Sequence, residues 1–426
     1  MENEYLKIAE QVSKFKTVQN LMHHVNKKTL SNVHKRQQKK KAAGIDGITK
    51  AEYGLNLNEN LEGLVRRMKT FSYKPQPVRR AYIPKIGSDK LRPLGIPAYE
   101  DKLVQGVMAD ILTKVYEPKF KNFSYGFRPN RSCHDAIKEL KKIIMTKKTT
   151  FVVDADIKGF FDNVNHEWLI KFLEHDIKDK NFIRYIKRFL MSGVMEKGKF
   201  LESDKGTPQG GLISPILGNV YLHYILDLWF ETEITNKFNG EAYMVRYCDD
   251  FVCCFRYENE ARKFFKMLKE RFGKFGLELA EDKSKIIRFG RYARENNSRE
   301  TFDFLGFTHI NGVSKNGKYI IVHQTSNKKL KSKMAVVKQW LYENCHEDKC
   351  DLVKKLNKKL VGHYRYYGVT GNCRKLKMFK WYIEKQLFKA LNRRSQRKMN
   401  WDKFNNFLKY NPIAEPKIYV SLLQSE

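Results

Sequence analysis

The stretch MVRYCDDFVCCF at residues 244–255 decides the fold prediction, because two adjacent acids interrupt an otherwise apolar run. The flanking residues are mostly apolar, β-branched or aromatic, a composition typical of buried strands. Asp249 and Asp250 therefore predict the turn of a β-hairpin. Two like charges about 4 Å apart repel by roughly 4 kcal/mol at an effective dielectric constant of about 20, so acids held together need a cation. An ordinary hairpin turn is the alternative for an Asp-Asp pair considered alone.

A second acid-bearing strand is predicted upstream, at residues 151–162 (FVVDADIKGFFD). In an extended chain Asp154 and Asp156 lie on the same face, and a helix is expected to begin near Asn165. Carboxylates from two neighbouring strands would provide the oxygen ligands that a pair of Mg²⁺ ions prefers, with Mn²⁺ as an alternative metal. Two such ions stabilise the attacking and leaving oxygens of an in-line phosphoryl transfer.

The chain is strongly basic, with 82 Lys and Arg against 47 Asp and Glu and a formal charge of +35. This excess favours long polyanions, so nucleic acid is the expected partner, while a solvated lysine-rich surface and an anionic membrane surface are the alternatives. No membrane-spanning helix is expected, because the most apolar stretch, 212–230, contains Pro, Asn, His and Asp. Seven scattered Cys and an N-terminus without an apolar signal segment predict a cytoplasmic protein with reduced thiols.

The chain divides by composition into four regions, and the predicted fold class is α+β. Residues 1–43 are helix-favouring and end in a basic run, and residues 44–150 mix short extended and helical segments between prolines. Strand-like apolar runs alternate with amphipathic stretches in residues 151–310. Beyond about residue 325 the sequence becomes lysine-rich and helix-favouring, with interleaved aromatic residues.

Taken in order, the motifs resemble those of reverse transcriptases encoded by group II introns. Besides the two acid-bearing segments, the similar motifs lie at residues 83–85, 91–97, 124–131, 206–215, 304–307, 362–372 and 391–395. The resemblance implies a right-hand polymerase with an N-terminal extension (1–43), fingers (44–150) and a palm with an antiparallel sheet (151–310). A helical thumb and a maturase-like X domain would follow at 311–426.

The resemblance also implies which residues form the catalytic site. Asp156, Asp249 and Asp250 match the acids that bind the catalytic metal ions, and the backbone carbonyl of Ile157 is a further expected ligand. Asp154 is then expected to be structural. Cys248 lies where these enzymes commonly have alanine, a replacement of one small residue by another that should preserve polymerisation.

Five positions match residues that bind the incoming deoxynucleoside triphosphate: Lys85, Arg92, Phe161, Gln209 and Lys283. Lys85 and Arg92 would hold the triphosphate, and Phe161 would clash with a ribose 2′-hydroxyl. The alternatives are surface charge for the two cations, core packing for Phe161, a turn-forming role for Gln209, and Lys285 in place of its neighbour Lys283.

A further set of basic and aromatic residues is expected to bind nucleic acid: Arg128, Arg131, Tyr364, Tyr366, Tyr367, Arg393, Arg394 and Arg397. The arginines would contact phosphates, and the tyrosine faces would stack on RNA bases. For Arg128 buried pairing with an acid is the alternative. For the tyrosines the alternative is the core of a helix, and for the C-terminal arginines it is plain surface charge.

The implied activity is RNA-directed DNA synthesis with an RNA template, a DNA or RNA primer and deoxynucleoside triphosphates, together with binding of structured intron RNA to assist splicing and retrohoming. No HNH endonuclease segment is found in the sequence, so cleavage of target DNA is not expected. Two other interpretations remain open: a domesticated reverse transcriptase, for instance in phage defence with a dedicated non-coding RNA, and a splicing factor that only binds RNA. The sequence does not indicate the oligomeric state.

Overall fold

The computed structural model describes residues 5–84, 91–207, 210–295, 298–393 and 398–422. These residues form two compact units. Unit 1 contains the described residues up to 84, 91–136 and 153–286, and unit 2 contains 137–152 and the described residues from 287 onward. The end of the expected palm, at 287–310, therefore belongs to unit 2. The division into extension, fingers, palm and thumb stays a prediction.

Helices make up most of the regular structure in the described residues. They are α1 (Leu6–Lys14), α2 (Lys27–Arg36), α3 (Lys50–Leu55), α4 (Leu57–Lys69), α5 (Tyr99–Tyr116), α6 (Cys133–Thr146), α7 (Phe160–Asn163), α8 (His166–Asp176), α9 (Lys180–Leu190), α10 (Ser214–Leu222), α11 (Thr235–Lys237), α12 (Glu258–Lys274), α13 (Arg291–Glu295), α14 (Asn327–Glu343), α15 (Lys349–Tyr367), α16 (Cys373–Asn392) and α17 (Trp401–Tyr410). No helix in this part of the chain is long and apolar enough to cross a membrane.

The strands form three sheets in the described residues. They are β1 (Val78–Pro84), β2 (Leu91–Ile96), β3 (Phe151–Ala155), β4 (Val194–Glu196), β5 (Lys199–Leu201), β6 (Ala242–Tyr247), β7 (Asp250–Phe255), β8 (Lys285–Arg288), β9 (Thr301–Phe304), β10 (Phe307–Val313) and β11 (Tyr319–Thr325). The strand orders are β2-β1-β4-β5, β6-β7-β3-β8 and β11-β10-β9. The α+β class is confirmed.

The predicted hairpin around the two acids is formed by β6 and β7. The strands pair antiparallel with Tyr247 opposite Asp250, so Cys248 and Asp249 make a two-residue turn. Residues 251–255 are all buried, which is why this strand has an uninterrupted apolar sequence and no alternation. Burial of the whole strand fixes its register, and the register places the acids at the end of the sheet.

One long helical segment supports this sheet. It begins as α10 and continues through two π-helical turns, at His223–Asp227 and Phe230–Ile234. Asn219, His223 and Asp227 are buried on it, although its surroundings are mainly apolar. Buried polar groups need hydrogen-bond partners, and Asn219 and Asp227 both bond to the guanidinium of Arg246. His223 Nδ1 has no hydrogen-bond partner among the described residues.

The C-terminal part of unit 2 is helical, as expected. Buried apolar residues of α14, α15 and α16 form one core, which includes Val337, Leu356 and Ile383. Side chains cap the N-termini of α14 and α15, where Ser326 and Asp348 accept backbone hydrogen bonds. The predicted helical region therefore exists, and its role as thumb and X domain stays a prediction.

Candidate active site

The turn between β6 and β7 holds Asp249, which is half-buried, and Asp250 follows as the exposed first residue of β7. Burial raises the pKa of Asp249, and the negative charge of Asp156 raises it further. The positive charge of Arg92, on β2, acts in the opposite direction. Residues from three separate segments of unit 1 therefore influence the same carboxylate.

Asp156 lies just beyond the end of β3. Its backbone N–H donates to Ser284 Oγ over 3.2 Å, which fixes this strand end. Its carboxylate accepts a hydrogen bond from Lys283 Nζ at 2.9 Å, and this bond raises the pKa of the lysine. Of the two candidate lysines, Lys283 is thus the one in contact with Asp156. Lys285 is the exposed first residue of β8.

Ile157, the other expected ligand on this segment, forms an isolated antiparallel bridge with Leu279. The backbone hydrogen bonds beside that bridge, 2.8 and 2.9 Å long, use the carbonyl of Asp156 and the N–H of Lys158. Neither bond uses the Ile157 carbonyl. Its role as a ligand stays a prediction.

The fit of this site to Mg²⁺ rests on its donor atoms and charges. Asp156 and Asp249 offer hard carboxylate oxygens, and their mutual repulsion is the kind that a divalent cation relieves. The Lys283 ammonium already stands beside Asp156 as a cation. Across the described residues, however, no three His, Cys, Asp or Glu side chains converge closely enough to hold a metal ion. Two acids therefore fit a metal site, and Asp250 as the third ligand stays a prediction.

Phe161 lies in α7 and lines a cavity of about 450 Å³ together with Pro93 and Thr207. Its neighbour Phe160 is buried, with the two ring centroids 5.1 Å apart. The backbone of Phe161 is fixed by the Thr207 N–H, which donates to its carbonyl over 2.7 Å. Of the two phenylalanines, Phe161 is therefore the one that lines the cavity, and its role as a sugar gate stays a prediction.

Arg128 is buried and its guanidinium is fully engaged. Nε and Nη2 donate to the carboxylate of Glu117 at distances of 2.8 to 3.2 Å, and Nη1 donates to the carbonyls of Lys121 and Ser124. These contacts are those of the structural alternative, so Arg128 is corrected from a template contact to a support for the loop. Arg131 is partly exposed and donates to the backbone carbonyl of Asn122 over 2.6 Å.

The tyrosines near the end of α15 pack inside unit 2. Tyr364 has no exposed surface, so its ring cannot stack on an RNA base and the prediction is corrected to a core role. Tyr366 is half-buried, stacks on Phe307 and donates its hydroxyl hydrogen to the Leu305 carbonyl over 3.0 Å. Tyr367 is half-buried against the same phenylalanine, with ring centroids 5.2 Å apart.

Arg393 follows the last residue of α16 and is exposed. Its guanidinium lies 3.9 Å from the ring centroid of Tyr342 and donates to the hydroxyl of that residue over 2.8 Å. Four other predicted site residues lie outside the described residues: Lys85, Gln209, Arg394 and Arg397.

The residues that support the catalytic turn were not predicted as site residues. Arg246, on β6, is fully buried and pairs with Asp227 from the second half of the long helical segment. One signal in the sequence marks these positions: Asn219, His223 and Asp227 recur every four residues within an apolar stretch. Such spacing places polar side chains on one side of a buried helix.

With this geometry established, comparison with known proteins defines the class. The sequence model of the reverse transcriptase (RNA-dependent DNA polymerase) family matches residues 83–309, which is more than half of the chain. The chain belongs to the reverse transcriptase family, and the resemblance found in the sequence is confirmed at this level.

The relatives with similar sequences include proteins named after group II introns. The group II intron-encoded protein LtrA of Lactococcus lactis subsp. cremoris is 44% identical over 184 residues, 43% of this chain and 30% of that protein. Protein YkfC of Escherichia coli K12 is 36% identical over 197 residues, 46% of this chain and 51% of that protein. The matched regions thus span at most about half of these relatives.

A solved structure, telomerase from Candida albicans in complex with a fragment of telomeric RNA, also aligns with this chain. The alignment has a TM-score of 0.45 and 13% sequence identity, and it covers 85% of this chain and 65% of the telomerase chain.

Proposed function

We propose that the protein is an RNA-directed DNA polymerase that extends a primer with deoxynucleotides along an RNA template. The observation that carries this proposal is the electrostatic coupling of Asp156 and Asp249, beside the cations Lys283 and Arg92. Carboxylates next to cations suit a reaction in which negative charge moves between phosphate oxygens. Membership of the reverse transcriptase family supports the same reaction.

Asp156, Asp249 and Asp250, with the Ile157 carbonyl, would hold two Mg²⁺ ions, and Mn²⁺ would substitute for them. When bound, such ions stabilise charge on the attacking 3′-oxygen and on the leaving pyrophosphate. Lys283 would then exchange its hydrogen bond with Asp156 for one to a phosphate oxygen. From that position its ammonium would donate a proton to the departing pyrophosphate.

The remaining nucleotide contacts follow from position. Arg92 is exposed on β2 and its positive charge acts to lower the pKa of Asp249, so we expect its planar fork to bind the triphosphate. Phe161, at the edge of its cavity, would exclude a 2′-hydroxyl and so select deoxynucleotides. Lys85 and Gln209 remain candidates for the triphosphate and the sugar on sequence resemblance.

The RNA partner proposed for this enzyme is a structured group II intron RNA, whose splicing the protein would assist. The names of several relatives support this choice over a domesticated defence enzyme with its own non-coding RNA, because they describe intron-encoded proteins. Acids at all three expected catalytic positions oppose the interpretation as a splicing factor that only binds RNA. The charge of +35 suits a long RNA partner.

Primer extension tests the polymerase proposal directly. The full chain, supplied with Mg²⁺, deoxynucleotides and a DNA primer annealed to an RNA template, is expected to make full-length cDNA. The Asp156→Asn variant should lose this activity because it removes a charge that the metal ions require. Asp154→Asn, two residues earlier on β3, is the matched control and should retain it.

The intron partner is tested separately by sequencing the RNA that copurifies with the protein from its native cells. Enrichment of an intron RNA would support the maturase role, and enrichment of a different non-coding RNA would favour the domesticated enzyme. Absence of extension by the wild-type chain, or full activity of Asp156→Asn, would reject the polymerase proposal.

A further inference from the structure

Arg246 is buried in unit 1 directly before the catalytic turn. Its Nε donates to Asp227 Oδ1 over 2.7 Å, and its Nη2 donates to the other carboxylate oxygen of the same residue. Both side chains are fully buried. Burial is the largest single influence and raises the pKa of Asp227, but the charge and hydrogen bonds of Arg246 act together with His223 to keep this pKa lowered. The pair is therefore an internal ion pair with two parallel hydrogen bonds.

The third nitrogen of the same guanidinium reaches the turn itself. Nη1 donates to the backbone carbonyl of Cys248 over 3.0 Å and to Asn219 Oδ1 over 3.0 Å. Cys248 has a φ of +59°, a left-handed conformation that a residue with a Cβ seldom adopts. A strained backbone of this kind persists when its surroundings fix it. The bond from Arg246 is one such restraint, and it acts on the residue next to Asp249.

A second restraint on the turn comes from the loop around Gly126. Asn219 Nδ2 donates to the Gly126 carbonyl over 2.7 Å, which ties the loop after α5 to the same network. A Cβ at Gly126 would lie 2.4 Å from the backbone nitrogen of Cys248, so only glycine lets the two backbones approach this closely. The turn is thus held between this loop and the Arg246 guanidinium.

We propose that Arg246 is a positioning residue, which holds the Cys248–Asp249 peptide so that Asp249 meets a metal ion together with Asp156. Asp227 and Asn219 serve by orienting the guanidinium, and Gly126 allows the close approach of its loop to the backbone of Cys248. Arginine is required because one planar group must donate to a carboxylate, an amide and a backbone carbonyl at once. The inference rests on the proposed polymerase function, which provides a kinetic measurement. Metal binding provides a second, independent measurement.

The main variant replaces both members of the ion pair, Arg246→Met with Asp227→Leu. Removing both charges avoids an unpaired buried charge, and such replacements commonly preserve stability. Gly126→Ala is the second variant, because it displaces the turn without touching the charges. Arg262→Lys is the matched control: this exposed arginine of α12 lies in the same unit and pairs with the carboxylate of Glu258.

Three quantities are measured on folded protein: kcat and KM for deoxynucleotide, the Mg²⁺ concentration at half-maximal extension, and Mn²⁺ affinity by electron paramagnetic resonance. A displaced turn should lower kcat by about 100-fold, as misplacement of about 1 Å does in other enzymes, and leave KM within about threefold. The Mg²⁺ midpoint should rise and the Mn²⁺ affinity fall, each by about tenfold, a shift typical of lost support for metal ligands. Arg262→Lys should match the wild type.

The inference is overturned if either variant, melting like the wild type, keeps its kcat, Mg²⁺ midpoint and Mn²⁺ affinity. It is also overturned if activity falls only in proportion to the unfolded fraction. Failure of the polymerase proposal is distinguishable, because the wild type would then extend no primer while Mn²⁺ affinity still reports on the turn. Equal Mn²⁺ affinity of wild type and variants would reject the positioning role in that case too.

Discussion

The turn at residues 247–250 and the segment at 362–372 make an instructive comparison, because each carries side chains suited to nucleic acid chemistry. At the turn, Asp249 lies at the end of a sheet and is coupled to Asp156 and Arg92. In the second segment the rings turn inward, and Tyr364 has no exposed surface.

The two regions differ in whether the surrounding structure buries their side chains. A strand end brings side chains from several segments together where no core covers them, so like charges persist there only for a chemical reason. Aromatic residues spaced along a helix gain more from packing than from exposure, and the helical core of unit 2 collects them. The acids at this strand end therefore stay close to the surface, whereas the tyrosines of the helical segment pack into a core.

The largest effect is expected when the two acids at the β6–β7 turn are removed. Asp249→Ala with Asp250→Ala should slow primer extension by at least about 1,000-fold, equivalent to roughly 4 kcal/mol in the barrier, because the charge that organises the metal ions is lost. RNA affinity, measured by filter binding, should stay within about threefold. Removing two exposed acids of unit 2, Glu343→Ala with Asp402→Ala, controls for net charge. Primer extension at the wild-type rate by the first variant would reject the assignment of Asp249 and Asp250 as metal ligands.

The second effect tests the core role of the aromatic segment. Tyr364→Ala should lower the free energy of unfolding by about 3 to 5 kcal/mol, as large-to-small changes of buried aromatic residues do. The hydroxyl has no hydrogen-bond partner among the described residues, so Tyr364→Phe should change stability by less than about 1 kcal/mol. Denaturant titration measures both values. A stable Tyr364→Ala protein with weakened RNA binding would contradict the core role.

The third effect is a pH dependence that belongs to unit 2. Burial lowers the pKa of His309 to about 3 and that of His323 to about 2. Because the folded values lie below the unfolded value near 6.5, the unfolded chain takes up protons first and stability falls as the pH drops below about 6.5. From pH 7 to pH 5.5 the pair should lower the free energy of unfolding by about 2.5 kcal/mol.

Denaturant unfolding at the two pH values measures this loss. A variant with His309→Phe and His323→Phe keeps aromatic rings in the core but cannot be protonated, so it should show a shallower pH slope than the wild type. Equal slopes for the two proteins would show that these histidines titrate normally.

The fourth effect separates two neighbouring rings. Phe161→Ala should reduce the preference for deoxynucleotides over ribonucleotides by about tenfold, because it opens space beside the sugar. Phe160→Leu, at the buried neighbour, should lower stability and leave the preference unchanged. Single-nucleotide incorporation kinetics give the ratio, and an unchanged ratio in folded Phe161→Ala would assign Phe161 to packing.

The smallest effect concerns the C-terminal arginines. Replacing Arg393, Arg394 and Arg397 by Ala should reduce the steepness of log affinity for structured RNA against log salt by about 0.7 to 0.9 for each lost phosphate contact. Extension on a saturating short primer and template should change little. An unchanged salt slope would leave these residues as surface charge, with Arg393 serving only Tyr342.

Much of the site could be predicted because its determinants are local. The two acids stand between apolar runs, so the hairpin and its turn follow from the sequence alone, and β3 ends one residue before Asp156. The resemblance supplied the roles of Phe161 and Lys283, and their surroundings in unit 1 are compatible with those roles.

What escaped prediction depends on contacts between distant segments. Arg246 is a basic residue inside a predicted strand, and nothing local indicates that Asp227 and Asn219 surround it. For Arg128 and Tyr364 the residue type allowed both an exposed and a buried role, and only the packed fold selects between them. The burial of a polar or aromatic side chain is a property of its neighbours, which a single sequence does not reveal.

The π-helical turn at His223–Asp227 makes the number of residues in this helical segment important, in addition to their identity. In a regular α-helix, with 3.6 residues per turn, Asn219 and Asp227 would point about 80° apart, yet both bond to the one guanidinium of Arg246. The wider turn absorbs that angle. A regular α-helix with the same number of residues would swing Asp227 about 80° away from its partner, whereas deleting one residue at the π-helical turn would leave seven steps and keep the two side chains within about 20° of each other. A substitution in this segment therefore tests the contacts of one side chain, whereas a change in its length would test how the segment aligns with the sheet that carries the acids.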